Sequence, residues 1–136
     1  MVTYVLDASA VLRYLNDEAG SGRVAEIIES HLAGTCSAIL SAVQWGEIAG
    51  VTCKFHGRST MDRVLVRLEA FGFEIVPVNP ERAVRASLIK LNRKIPYVDA
   101  FGVELAAESS DRILVTADFD LKPAIKDVRV ELLLRK

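Results

Sequence analysis

The sequence predicts a three-layer α/β/α fold around a central, mostly parallel sheet. Three observations carry that expectation. Short β-branched runs alternate along the chain with longer helical stretches. Strands that alternate with helices pair in parallel and take helices on both faces. The length of 136 residues suits one domain over residues 1–136. About two-thirds of the surface of such a chain is buried on folding, and half of its residues are hydrophobic (51%), enough for a core without staples.

The elements follow in order. Residues 2–6, Val-Thr-Tyr-Val-Leu, read as a strand ending at Asp7, with a helix over 8–15 behind it. A helix over 21–32 precedes a short strand at 35–39. Residues 41–54 and 59–71 read as helices capped by Ser41 and Ser59. A strand over 73–78 runs into Asn79-Pro80, which opens a helix reaching about Lys94. Pro96 suits the first turn of another helix, reaching about Ser109. Residues 112–116 form a strand, 122–125 a short helix and 128–133 a last strand.

Composition excludes several classes. The apolar content rules out disorder, and eight Gly with four Pro rule out collagen-like repeats. Seventeen Lys and Arg against eighteen Asp and Glu argue against coating of nucleic acid by bulk charge. The N-terminus lacks a basic region, and Asp7 interrupts its apolar run too early for a signal peptide. No stretch nears the ~18 apolar residues of a membrane span. Cys36 and Cys53 have neither a CxxC partner nor zinc-like spacing and read as reduced thiols. The expected compartment is the cytoplasm, with no membrane partner.

Four carboxylates stand in unusual places. Asp7 and Asp118 each follow an apolar strand, Val-Thr-Tyr-Val-Leu and Ile-Leu-Val-Thr-Ala. In an open parallel sheet, functional groups collect beyond the carboxyl ends of strands, where strand order reverses. Helix capping explains either residue equally well when it is taken singly. Asp99, placed on a helix at about 100° per residue, shares a side with Gly102, Val103 and Ala106, while Glu104 and Glu108 fall on the opposite, wet side. A carboxylate on a core-facing stripe is costly unless paired or bound to a metal, although a helix N-terminus also favours it. Glu47 points away from the stripe of Trp45, Ile48 and Thr52. Gly46 and Gly50 in the same helix suggest close approach of backbone or ligand. Together, four acids at one sheet edge repel one another unless cations neutralise them. All-oxygen donors favour Mg²⁺ or Mn²⁺ over zinc. Ser9 and Thr116, two residues from Asp7 and Asp118, are placed to hydrogen-bond those carboxylates or a metal-bound water, although ordinary capping and strand chemistry explain them equally well. Asp120, Asp111 and Asp127 read as solvated loop acids, and His31 and His56 as structural or surface residues. No nucleophile elbow, phosphate loop or HExxH pattern is present.

These residues resemble the PIN-domain family and, within it, the small VapC-type toxin ribonucleases of type II toxin–antitoxin systems. The resemblance spans essentially the whole chain. It is carried by Val-Leu-Asp7-Ala-Ser9-Ala, Ser-Ala-Val-Gln-Trp-Gly-Glu47-Ile, Pro96-Tyr-Val-Asp99-Ala-Phe and Ile-Leu-Val-Thr116-Ala-Asp118-Phe-Asp120. It implies an endoribonuclease that hydrolyses phosphodiester bonds with Mg²⁺ or Mn²⁺. Asp7, Glu47, Asp99 and Asp118 match the catalytic, metal-binding acids, and Ser9 and Thr116 match supporting positions. The resemblance also allows Asp120 to share or replace part of the role of the fourth acid. It further implies a homodimer, inhibited by a VapB-like antitoxin whose tail occupies the cleft. In the expected reaction water attacks the phosphodiester in line, the cation stabilises developing charge, and a carboxylate orients or deprotonates the water.

RNA approaching an acidic cleft needs cations elsewhere. Residues 81–94 carry five Lys and Arg against one acid, and residues 54–67 four against one. On the first of these helices Val84, Leu88, Leu91 and Ile95 form the expected inward stripe, with Arg82, Lys90 and Arg93 opposite as candidate phosphate contacts. Ordinary solvated helix faces explain the same pattern. Trp45, Tyr97 and Phe119 flank three of the acids, placed either to stack on an unpaired base or to serve as core or dimer contacts. Two other α/β enzymes fit less well. A phosphoacceptor receiver wants paired acids after the first strand. A haloacid-dehalogenase-type phosphatase wants an Asp where Ser9 stands. A catalytically weak PIN-like module that binds RNA or a partner stays open beside the nuclease.

Overall fold

A computed structural model of the chain describes residues 1–133. Its strands are apolar on both sides: the adjacent pairs Val5-Leu6, Ile39-Leu40 and Leu114-Val115 are all buried. Neighbouring strand residues face opposite ways, so such strands need cover on both faces. Leu6, Leu40 and Val115 pack with Val11, Val24 and Ile27 on one face. Val5, Ile39 and Leu114 pack with Phe101, Val103 and Leu105 on the other. The result is the predicted three-layer arrangement.

The strands are β1 (Thr3–Leu6), β2 (Ser37–Ser41), β3 (Glu74–Val76), β4 (Arg112–Thr116) and β5 (Arg129–Leu132). They lie in the order β3-β2-β1-β4-β5, and every pairing is parallel. The chain winds outward from β1 to β3, then returns to lay β4 on the other side of β1. This reversal puts a topological switch point between β1 and β4, where a crevice opens beyond the carboxyl ends. Leu6 pairs with Val115 there.

The helices are α1 (Ala8–Leu15), α2 (Ser21–Leu32), α3 (Ala42–His56), α4 (Arg58–Ala70), α5 (Pro80–Arg93) and α6 (Tyr97–Ala106), with a 3-10 helix over Phe119–Lys126. None of the described helices is long and apolar enough to cross a membrane. Ser41 caps α3 as expected, accepting from the Val43 amide at 3.3 Å. Asn79 caps α5 through the Arg82 amide at 2.9 Å, with Pro80 behind it in the first turn. Lys94 then turns into the left-handed region (φ 56°), which ends α5 before Ile95 is buried.

Several sequence expectations fail locally. Gly57, not Ser59, sits at the cap of α4; its φ of 89° is open to glycine and strained for other residues. The strand expected at 35–39 lies at Ser37–Ser41, in the register set by Thr3 opposite Ser37. The helix expected to reach Ser109 stops at Ala106, where Arg112 donates to the freed Leu105 carbonyl at 2.8 Å. The inward stripe of α5 is also misplaced. Val84, Leu88 and Leu91 are exposed, and Ala86 is the buried residue of that helix, so only Ile95 behaves as expected. Glu104 does not face water. Every residue of α6 from Ala100 to Ala106 is buried, because the helix lies between α5 and the sheet. The Glu104 carboxylate is matched by Arg82 at 2.9 Å and Arg85 at 3.0 Å. His31 is structural: its Nδ1 accepts from the Ala38 amide at 3.0 Å, so Nε2 carries the proton facing the Gly72 carbonyl at 3.1 Å.

Candidate functional site

Asp7 enters the crevice because β1 ends at Leu6 and α1 begins at Ala8. Although it occupies the helix-cap position, its side chain makes no cap hydrogen bond to α1. One of its oxygens is held instead. Oδ2 accepts from Ser9 Oγ at 2.5 Å and from Thr116 Oγ1 at 2.9 Å. Each hydroxyl oxygen also accepts from a backbone amide. Ser9 Oγ takes the Ala117 amide at 2.9 Å, and Thr116 Oγ1 takes the Asp118 amide at 3.0 Å. The two hydroxyls lie 3.1 Å apart, where either can donate to the other. The other Asp7 oxygen, Oδ1, is buried and has no hydrogen-bond partner among the described residues. An orphaned buried carboxylate oxygen is costly.

The remaining three acids face it from separate elements. Asp118 follows β4, Glu47 lies on α3, and Asp99 is in the first turn of α6. Burial, then Asp7, Asp118 and Glu47, push the Asp99 carboxyl up to about 7. The helix N-terminus favours an ionised Asp99, but desolvation and like charges outweigh it. Burial, then Asp7 and Asp118, hold Glu47 above its ordinary range. Burial raises Asp7 as well, against the lowering hydrogen bonds from Ser9 and Thr116. The four acids named from the sequence are thus brought together. Gly102 borders Asp7: a Cβ there would crowd Leu114 Cδ1 at 3.3 Å and meet Asp7 Oδ1 at an ordinary 3.8 Å.

The donor set suits a hard cation. Several carboxylates around one orphaned anionic oxygen are the ligand chemistry of Mg²⁺ or Mn²⁺. Among the described residues no three His, Cys, Asp or Glu side chains close into an ion-holding group as they stand. The acids converge without forming a cage.

Other expectations are redistributed. Asp118 does cap: its Oδ1 accepts from the Asp120 amide at 2.9 Å, which orients the carboxylate while starting the 3-10 helix. Asp120 itself is exposed, and its recorded contribution to the site is that amide. No protein atom lies within 4 Å of a Cβ at Gly46 or Gly50, so no other backbone approaches closely there. Of the candidate phosphate contacts, Arg82 is bound to Glu104 and Glu108, and Arg93 to Asp127 at 2.7 Å. Both give their charge to the fold, whereas Lys90 is exposed and outside any ion pair among the described residues. Trp45 packs partly buried against the core. Tyr97 stands edge-on to Phe101 at 4.9 Å, and Phe119 lies beneath Lys122 at 5.6 Å.

One residue of the site escaped sequence reasoning. Gln44, fully buried on α3, takes the Ala8 amide on its Oε1 at 2.6 Å and donates from Nε2 to the Val98 carbonyl at 2.6 Å. Its position one turn before Glu47, on the same face as Ile48 and Thr52, was the available signal.

A family model described as PIN domain matches residues 4–126. Among solved structures, the chain is similar to VapBC2 from Rickettsia felis bound to a DNA fragment from its promoter. That likeness has a TM-score of 0.73 and 15% identity, over 96% of this chain and 98% of the other. DNA-bound VapBC from Salmonella typhimurium gives 0.70 and 17%, over 96% and 98%. FitAcB from Neisseria gonorrhoeae gives 0.68 and 20%, over 93% and 95%. At such identities the likeness is one of fold. No curated protein matches the sequence.

Proposed function

This chain belongs to the PIN-domain family, and from that premise we propose that it is a metal-dependent endoribonuclease, the toxin of a VapBC-type toxin–antitoxin pair. The observation that carries the reading is the convergence of Asp7, Glu47, Asp99 and Asp118 around the unpartnered Asp7 Oδ1. A bound Mg²⁺ or Mn²⁺ would supply charge neutralisation at the phosphate and a more acidic water. Asp7, Glu47, Asp99 and Asp118 would hold the ion. Ser9 and Thr116 lock Asp7 so that one oxygen stays turned to the crevice. One of these carboxylates orients the attacking water or takes its proton.

The RNA backbone meets the exposed cations that the fold leaves outside ion pairs, Lys90 on α5 with Lys54 and Arg63 on α3 and α4. Arg82 and Arg93 are proposed only as supports of that surface. Binding partners under this reading are a second copy of the chain and a VapB-like antitoxin. The apolar groove between α1, α3 and α4, lined by Leu12, Leu15, Val51, Phe55 and Val64, offers an apolar segment of such a partner a seat.

The deciding experiment treats cellular RNA with the purified chain in Mg²⁺, in EDTA, and with Asp99→Asn. Cleavage restricted to the unaltered chain in Mg²⁺ is the expected result. RNA binding without cleavage in Mg²⁺ and Mn²⁺ would make the protein a PIN-like binding module instead.

A further inference from the structure

Gln44 touches the backbone beside two of the four acids and shares a helix with a third. Ala8, whose amide it accepts, follows Asp7; Val98, whose carbonyl it meets, precedes Asp99; Glu47 lies one turn further along α3. A backbone amide can only donate and a carbonyl can only accept, so the orientation of the Gln44 side chain is determined by its partners. The Ala8 amide is one of the orphan donors of the first turn of α1. Three segments that otherwise belong to different elements are thus tied by one fully buried side chain.

The tie matters because of what the segments carry. Asp7, Glu47 and Asp99 repel one another, and that repulsion acts to push α1, α3 and α6 apart. The helix α3 starts directly after β2, which pairs with β1, so its first residue is tethered to the sheet. Its packing against α1 and α6 and the two Gln44 bonds add to that tether. A glutamine reaches both partners at 2.6 Å, and an asparagine is one methylene short.

We propose that Gln44 is a positioning residue of the acid cluster, a buried amide that sets the spacing of the Asp7, Glu47 and Asp99 segments for cation binding. The inference rests on the metal-dependent reading given above. Its test is titration of the full-length chain with Mn²⁺ alone by calorimetry, with Gln44→Met, Gln44→Asn and Asp7→Asn alongside. Gln44→Met keeps most of the volume and removes both hydrogen bonds, and Gln44→Asn keeps the amide but shortens its reach. Both variants should unfold cooperatively and bind Mn²⁺ about tenfold more weakly, the low end for groups that orient ligands. Their kcat on RNA should fall while KM holds. If Gln44→Met does not fold, Gln44→Asn decides by the same titration.

Mn²⁺ affinity within twofold of the unaltered chain in a folded Gln44 variant overturns the proposal, even where its melting temperature falls. That pattern, with binding lost in Asp7→Asn, leaves the metal reading standing. No Mn²⁺ binding by the unaltered chain, or unchanged binding by Asp7→Asn, overturns the metal reading and this proposal together.

Discussion

Thr116 Oγ1 donates to Asp7 Oδ2 at 2.9 Å, joining residues 109 positions apart in the chain. The bond exists because β1 and β4 are parallel neighbours with Leu6 opposite Val115, so both strands end at the same level. It makes the two strand-end acids, Asp7 and Asp118, parts of one network, since the Asp118 amide donates to the same Thr116 oxygen.

Thr116→Val keeps the shape and removes both roles of the hydroxyl. Asp7 loses a donor and the Asp118 amide loses its acceptor. Stability should drop by about 1–3 kcal/mol, the cost of leaving a buried polar group unpaired. Urea unfolding measures that loss. Mg²⁺-dependent cleavage should fall about 10–100-fold in kcat, and a variant with full kcat would remove Thr116 from the site.

In EDTA, stability should decline as pH rises from about 4 to about 7. The Asp99 carboxyl stands near 7 in the folded chain against an ordinary 3.8, so the folded state binds more protons than the unfolded one across that window. Stability then falls with rising pH. The contribution is complete below the ordinary carboxylate range and lost above the folded value. The upward shifts of Asp7 and Glu47 act in the same direction. Thermal melts at steps of pH check the slope, and Asp99→Asn should flatten it and be the more stable protein near pH 8. A slope of opposite sign would contradict the electrostatics of the cluster.

Glu104→Ala strands two guanidinium groups, one of them Arg82, whose side chain is only 14% exposed. Breaking a buried pair from one side costs about 3–5 kcal/mol. The loss here should sit at the low end, because Arg82 keeps Glu108 at 2.7 Å. Asp62→Ala, which breaks an exposed pair with Arg58, should cost under about 1 kcal/mol by the same denaturation measurement.

Salt dependence separates free cations from paired ones. In the cleavage-deficient Asp99→Asn background, Lys54→Ala and Lys90→Ala should each reduce the slope of log affinity for single-stranded RNA against log salt by about 0.7. Arg93→Ala should leave the slope unchanged, since Asp127 already offsets that charge. A flattened slope for Arg93→Ala with none for the two lysines would move the RNA to the other side of α5.

The sequence by itself determined the alternation of elements, the parallel layered architecture and the identity of four acids in their order along the chain. Period and punctuation are local signals: Asp7 and Asp118 end apolar strands, and Asp99 lies on the same helix face as Gly102, Val103 and Ala106. Only the tertiary structure decided what pairs with what. The burial of Glu104 depends on Arg82 and Arg85, about twenty residues upstream, and no helical wheel contains them. The stripe of Val84, Leu88 and Leu91 has helical periodicity yet faces outward, because α5 meets α6 through Ala86 and its arginines. Arg82 and Arg93 looked free in sequence and are neutralised in space. Gln44 carried only its place on the face of Ile48 and Thr52 as a signal, since its two partners are backbone atoms, which every residue has, and only the fold brings them within reach of one side chain.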